Sequence, residues 1–271
     1  MFGKLCKYEG RYMLRIFVPM WALVLVLSVI NRFTLYAPTD GGLSSTVVNL
    51  IFFALIMSIF ALSVVSLIVV IQRFYQGLLK DEGYLMFTLP VKSGALINAK
   101  GLTAVLLMFL TGIVGILVFL IIGTQGVLWS DVVELFRDLG DVSRYYGISG
   151  GDWTLMIIWG ILATLASVAF SIYHMYTALA LGHLAKKHRV GMAVVSYVAI
   201  NMLLTVINTM LANLVMELGG FEWYSHMLSS IDRVPEAVVF GEIAMTVASG
   251  LGTAIFFFVT RQILEKRLNL E

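Results

Sequence analysis

The sequence predicts an all-α polytopic membrane protein with six transmembrane helices. Three observations indicate this fold class. Of the 271 residues, 60% are hydrophobic, the charged share of 13% is about half that of a typical soluble domain, and the mean hydropathy is +0.94. Six nearly charge-free stretches approach or exceed the ~20 residues that cross the hydrocarbon core of a bilayer. These predicted spans are 16–36, 47–72, 101–128, 153–183, 190–216 and 243–261.

The first span follows a basic N-terminal segment with the pattern of an amphipathic helix. Lys7 or Tyr8, Arg11 and Arg15 recur at helical spacing, which predicts an interface helix lying at the membrane surface before the first span. Alternatively, the segment is a basic flank that only sets the topology. No small-residue cleavage site follows the first apolar run, so we expect a true span rather than a signal peptide.

The distribution of Lys and Arg predicts which ends of the spans face the cytoplasm. Fourteen of the 18 basic residues lie in the N-terminal segment, the 73–100 loop, the loop between the fourth and fifth spans, and the C-terminal segment. The other four, Arg32, Arg137, Arg144 and Arg233, fall on the opposite side. Because basic residues are enriched in cytoplasmic loops, both termini are predicted to be cytoplasmic, which an even number of spans satisfies.

The two longer external connections carry helical patterns of their own. Apolar and acidic residues recur at helical spacing over 131–142, which predicts a short surface helix. The 217–242 connection is predicted to form a pair of short helices, with Pro235 near the start of the second. Its aromatic residues, Trp223 and Tyr224 among them, fit an interfacial aromatic belt equally well.

Polar residues within the spans are few, and the charged ones lie near the span ends. No Asp, Glu, Lys or Arg lies at the middle of any span, which argues against an ion-coupled carrier, because such carriers usually retain a membrane-embedded charge. Polar faces on the fourth and fifth spans predict either a translocation path or helix packing through hydrogen bonds. These residues are Ser167, Ser171, His174, Asn201, Thr205 and Asn208.

The composition and motifs do not indicate catalysis or nucleic-acid binding. A net charge of +2, four His and the single Cys6 provide no basic nucleic-acid surface, no disulfide framework and no zinc-ligand spacing. The sequence has no Gly-x-x-x-x-Gly-Lys-Ser/Thr loop, which is the motif that cradles nucleotide phosphates. We therefore expect a chain that is not an enzyme and binds no metal or cofactor, so that any ATP would be bound by a partner.

The loop at 73–100 is the longest basic, polar interruption between spans. Apolar side chains such as Phe87 closely follow the acidic pair Asp81 and Glu82, a mixture that suits neither lipid nor a fully solvated loop. The pattern predicts a short helix that ends at Pro90, lies across the cytoplasmic end of the bundle and contacts another protein. The alternative is a long cytoplasmic connection with no partner.

The run from 81 to 92, DEGYLMFTLPVK, resembles the intracellular coupling segment of type-2 ATP-binding-cassette (ABC) permeases, in particular the compact six-span permeases of Gram-positive bacteria. The N-terminal run of Lys7, Tyr8 and Glu9 with Arg11 and Arg15 resembles the amphipathic connecting helix of that family. The resemblance implies a coupling helix that contacts an ATPase. The residues implied in this contact are Asp81, Glu82, Gly83, Tyr84, Phe87, Leu89 and Pro90.

The resemblance also implies a function, that of the permease subunit of an ABC exporter in a bacterial plasma membrane. Two permease subunits, identical or different, would pair with two copies of a separate ATPase subunit that binds ATP and Mg²⁺. The apolar spans favour amphipathic or lipid-like cargo, such as an antimicrobial peptide, a drug or a lipid. The alternative is a membrane substrate-binding, immunity or sensing subunit without transport of its own.

Overall fold

The structure, a computed structural model, describes residues 2–35, 45–79, 93–123, 128–185, 187–230 and 233–266. These residues form eight α-helices and one π-helical turn, with no strand among them. The helices are α1 (Phe2–Leu35), α2 (Ser45–Phe74, continued by the π-helical turn Tyr75–Leu79), α3 (Ser93–Gly123), α4 (Leu128–Tyr145), α5 (Gly150–His183), α6 (Arg189–Glu217), α7 (Gly220–Ser229) and α8 (Val234–Lys266).

Six of the helices, α1, α2, α3, α5, α6 and α8, are long and apolar enough to cross a membrane. The predicted all-α class is therefore confirmed for the described residues, together with six helices that are long and apolar enough to serve as the predicted spans. At one end of the bundle α1, α3 and α6 begin and α2, α5 and α8 end. We call this the basic end, because it carries Lys7, Arg73 and Lys100.

The first helix, α1, is continuous over 34 residues, about 51 Å at 1.5 Å per residue, whereas the hydrocarbon core of a bilayer is only about 30 Å thick. The predicted interface helix and the first span thus form one continuous helix rather than two separate helices. Pro19 lies inside α1, but a proline removes only one backbone hydrogen bond, and the helix continues through it. The turns before residue 16 extend the helix past the predicted span at the basic end.

The neighbouring helices, α2 and α3, also extend beyond their predicted spans. The π-helical turn Tyr75–Leu79 continues α2, and α3 begins at Ser93, so both ends of the predicted 73–100 loop are helical. Ser93 Oγ donates a hydrogen bond to Glu265 Oε1 of α8. Only the middle of this loop, 80–92, lies outside the described residues.

The opposite end of the bundle carries α4 and α7. The helix predicted over 131–142 falls within the longer α4, Leu128–Tyr145. The structure differs from the predicted pair of short helices over 217–242, because only α7 is separate. Pro235 lies in the first turn of α8, a position at which helices tolerate proline, so α8 runs unbroken into its span.

The largest helix–helix interface joins α5 and α8, which run parallel. The Phe170 ring packs so closely on Gly252 that a Cβ there would lie 2.4 Å from a ring atom. About two turns closer to the basic end, Thr177 Oγ1 lies 2.9 Å from Thr260 Oγ1 and donates a hydrogen bond to the Tyr173 carbonyl. Close approach at small residues and interhelical hydrogen bonds are the usual means by which helices associate in lipid.

The larger of two apolar core clusters lies in the half of the bundle nearest the basic end, where α1, α2, α3, α5 and α8 meet, and the smaller lies farther along α1, α2 and α3. Phe74 and Tyr176 are fully buried in the larger cluster, with stacked rings whose centroids lie 3.9 Å apart. Phe17 and Ile97 belong to the same core. In contrast, α6 has one buried residue, Ala193, so it packs at the periphery, mainly against α5.

Candidate functional site

Three charged side chains meet at the basic end and join α1, α2 and α3. Glu9 Oε2 lies 2.5 Å from Arg73 Nε, and Glu9 Oε1 lies 2.6 Å from Lys100 Nζ. The side chains of Glu9 and Lys100 are 6% and 2% exposed. The Arg73 guanidinium carbon also lies 4.5 Å from the centre of the Tyr12 ring, a cation–π contact. We call Glu9, Arg73 and Lys100 the ion cluster.

The ion cluster fixes the positions of the helices that flank the 80–92 segment. Burying a charge costs several kcal/mol unless a partner compensates it, so the hydrogen bond to Glu9 stabilises the buried ammonium of Lys100 in this position. Arg73 and Lys100 lie near the two ends of the 73–100 loop, and both bind the same carboxylate on α1. A displacement of the 80–92 segment would therefore be transmitted to three helices together.

The sequence interpretation assigned no interaction to Glu9, although a signal for its burial was present. Glu9 lies in register with Leu5, Met13 and Phe17 at intervals of four residues, and Met13 and Phe17 are buried. An acid on the apolar face of a helix must find a cationic partner when that face packs. The identity of the partner required the structure, because Arg73 and Lys100 lie 64 and 91 residues away.

The predicted interface-helix residues lie on the other side of α1. Lys7, Tyr8, Arg11 and Arg15 are exposed, and Lys7, Arg11 and Arg15 border a shallow groove along α1. That these residues lie at the membrane surface stays a prediction. Their helix, however, runs directly into the span as part of α1.

A second feature is a cavity of about 430 Å³ between α2, α3 and α5. Hydroxyl side chains from all three helices line it, together with the thioethers of Met108 and Met175. We call it the hydroxyl groove and define it by Ser63, Ser66, Thr111, Ser167 and Ser171.

The hydroxyl groove lies farther from the basic end than the ion cluster does, towards the middle of the helices. Ser63 precedes Arg73 by ten residues and Thr111 follows Lys100 by eleven, which places both about 15 Å from the cluster along their helices. That distance is about half the thickness of the hydrocarbon core. Polar groups at this depth have no water to bind and need partners within the protein.

The hydroxyl donors in the groove are engaged within their own helices. Ser66 donates to the Leu62 carbonyl at 2.6 Å, and Ser167 donates to the Ala163 carbonyl at 2.7 Å. Ser63, Thr111 and Ser171 do the same, each with the carbonyl four residues earlier. Such bonds satisfy a hydroxyl hydrogen in lipid and leave the oxygen lone pairs directed away from the backbone.

The structure divides the predicted polar residues of the spans into three places. Ser167 and Ser171 line the hydroxyl groove. His174 does not, because its ring is stacked between those of Tyr197 and Phe256, at centroid distances of 4.6 and 5.1 Å. The remaining three are exposed on the outer surface of α6, away from the groove: Asn201, Thr205 and Asn208.

The groove contains residues that sequence reasoning missed. Ser63 and Ser66 on α2 and Thr111 on α3 complete its lining. Thr111 Oγ1 also accepts a hydrogen bond from Trp21 Nε1 at 3.1 Å, which ties α1 to α3 beside the groove. Nothing in the sequence distinguishes these hydroxyls from others in the same spans, such as Ser58.

The residues predicted to contact an ATPase lie outside the described part of the chain. They are Asp81, Glu82, Gly83, Tyr84, Phe87, Leu89 and Pro90, all within 80–92. The structure describes the ends of α2 and α3 on either side of them.

No protein-family model, curated protein or solved structure matches the chain. The likeness of 81–92 to a coupling segment rests on that run of residues alone. A function for this chain is therefore proposed from its own residues and their geometry.

Proposed function

We propose that the chain is the transmembrane permease subunit of an ATP-driven ABC exporter. It pairs with a second permease subunit, identical or different, and with two copies of a separate ATPase subunit that binds ATP and Mg²⁺. The basic end faces the cytoplasm of a bacterium, where the ATPase contacts the 80–92 segment through Asp81, Glu82, Tyr84 and Phe87. The cargo is amphipathic or lipid-like.

The ion cluster is the observation that carries this proposal. Because Glu9 binds both Arg73 and Lys100, a force applied to the 80–92 segment moves α1, α2 and α3 as one body. Two of these helices, α2 and α3, line the hydroxyl groove about 15 Å farther along. Movement of the segment thus shifts α2 and α3 relative to α5 and changes the shape of the groove. The ATPase does not need to contact the cargo.

The lack of central charge favours an external energy source. No Asp, Glu, Lys or Arg lies at the middle of a predicted span, whereas proton- and sodium-coupled carriers use such groups to bind the coupling ion. A permease driven by a partner that hydrolyses ATP does not need a charged group that binds a coupling ion. The second candidate, a binding or sensing subunit, is favoured only by the groove itself, because a groove can hold a ligand without releasing it across the membrane.

Reversing the acidic pair of the 80–92 segment, Asp81→Lys with Glu82→Lys, is expected to weaken ATPase binding about tenfold or more. A like-charge contact in an interface costs several kcal/mol, and each 1.4 kcal/mol is a factor of ten in affinity. The measurement is co-purification of the ATPase from membranes, followed by ATP-dependent export from inside-out vesicles. The unfolding temperature of the chain is measured alongside, so that a loss of binding is distinguished from a loss of folding.

The matched control reverses two exposed acids at the other end of the bundle, Asp138→Lys with Asp141→Lys on α4. This variant should bind the ATPase normally, since it makes the same change of charge away from the predicted contact. Normal ATPase binding and export by the Asp81/Glu82 variant would contradict the proposal. Binding of cargo by the wild-type chain with no ATPase partner in its native membrane would favour the sensing subunit instead.

A further inference from the structure

The hydroxyl groove has the composition of a small-molecule site. Ser66 is 2% exposed although it is polar and lies deep in the bundle, and hydroxyls from three helices converge with it on one cavity. The volume of about 430 Å³ lies within the range of about 300–1,000 Å³ typical of ligand pockets. A mainly apolar wall with a few convergent polar atoms is the usual make-up of such pockets.

The polar atoms of the groove can accept hydrogen bonds but are not free to donate them. The hydroxyl hydrogens of Ser66, Ser167 and Ser171 are bound to carbonyls of their own helices. Within the described residues, no donor is bound to these three oxygens. The indole N–H of Trp21 is engaged with Thr111 Oγ1, so it is not available to a ligand either.

We infer that the hydroxyl groove binds amphiphilic cargo through a head group that donates hydrogen bonds, such as a primary amine or an amide. This inference rests on the proposed function and names the class of its cargo. An N–H head group can meet Ser66, Ser167 and Ser171 without breaking any bond of the helices. A carboxylate, sulfate or phosphate would find neither a cation nor a free donor among the residues that line the groove.

The walls of the groove accommodate the apolar part of the same ligand. Leu67, Val168 and Ile172 contribute aliphatic surface, and Met108 and Met175 contribute flexible thioethers. Methionine adapts its shape to irregular ligands better than branched side chains do. The groove therefore selects by the chemistry of the head group more than by the shape of the chain.

The test measures binding to the full-length chain in nanodiscs of neutral lipid, with empty discs subtracted to remove partitioning. Three radiolabelled probes share one ten-carbon chain: decylamine, decyltrimethylammonium and decanoate. Decylamine should bind saturably and about threefold to tenfold more tightly than decyltrimethylammonium, which has a similar charge but no N–H, since one hydrogen bond accounts for roughly such a factor. Decanoate should show no saturable binding.

Variants then locate the site. The double variant Ser66→Ala with Ser167→Ala should weaken decylamine binding by about threefold or more. It should also remove the preference for decylamine over decyltrimethylammonium. Two controls remove hydroxyls that lie outside the groove on the same helices, Ser58→Ala on α2 and Thr164→Val on α5, and should bind decylamine as the wild type does. Ser167→Phe fills the groove and should abolish binding of both cations.

Two results would overturn the inference. Undiminished decylamine binding by Ser167→Phe would show that the probe binds elsewhere. Equal affinity for decylamine, decyltrimethylammonium and decanoate would show a general lipid site with no preference for a donor. Because these measurements use the chain without any ATPase or ATP, they can fail while the Asp81/Glu82 experiment succeeds, and the reverse is equally detectable.

Discussion

Replacing Glu9 with Gln is expected to lower the free energy of unfolding by about 3–5 kcal/mol, the usual cost of removing one partner from a buried ion pair. The reason is Lys100, whose side chain is 2% exposed and hydrogen-bonds Glu9 at 2.6 Å. With a neutral amide at position 9, this buried ammonium loses the negative charge of the Glu9 carboxylate while the packing volume is unchanged. Unfolding of the purified chain, followed by its loss of helical signal on heating or in denaturant, measures the effect.

A second substitution separates the loss of the ion pair from a general loss of packing. Lys100→Met in the Glu9→Gln background removes the buried ammonium and should restore part of the lost stability. Asp141→Asn is the control, because it breaks an exposed ion pair with Arg144, and such pairs contribute little. If Glu9→Gln and Asp141→Asn change the unfolding temperature equally, the ion cluster does not stabilise the basic end.

Replacing Gly182 with Ala is the second large expected effect, a loss of about 1–3 kcal/mol through overpacking. A Cβ on Gly182 would stand 2.4 Å from both the Cα and the N of Ala193. These are backbone atoms, so they cannot rotate away as a side chain would. The ends of α5 and α6 must separate, and α6 has no other buried residue with which to hold its place. The unfolding measurement used for Glu9→Gln applies here.

Gly112→Ala on α3 is the matched control, because no heavy atom lies within 4 Å of the new Cβ. Alanine is the better helix former by about 0.5–1 kcal/mol, so this variant should be as stable as the wild type or more so. A Gly182→Ala variant that behaves in the same way would show that α5 and α6 do not approach as closely as described.

The six spans were predictable because a long apolar run has few alternatives to crossing a bilayer. The helix ends were not. Hydropathy marks where lipid contact ends, whereas a helix ends only where its backbone is interrupted. No strong interruption occurs between Phe2 and residue 16, so α1 begins far outside its predicted span. For the same reason Pro235 begins α8 rather than a separate short helix.

The candidate site was predictable only in part. Arg73 and Lys100 were recognised as charged boundaries of a loop, and Ser167 and Ser171 as polar residues of one face. Their partners lie on other helices, and spans that are apolar all round carry little information about which way each helix is rotated. Glu9, Ser66 and Thr111 are placed in the site by that rotation, and His174 is placed outside it.

The parallel pairing of α5 with α8 has a consequence for the synthesis of the chain. Thr260 is made 83 residues after Thr177, a delay of about 4 to 17 s at usual rates of translation. During this interval α5 must reside in the membrane without the neighbour that later packs on Phe170. The hydrogen bond from Thr177 Oγ1 to the Tyr173 carbonyl satisfies this hydroxyl until α8 is inserted. Nascent chains that end before α8 should therefore insert with α5 in place but be cleared by membrane proteases faster than the full chain.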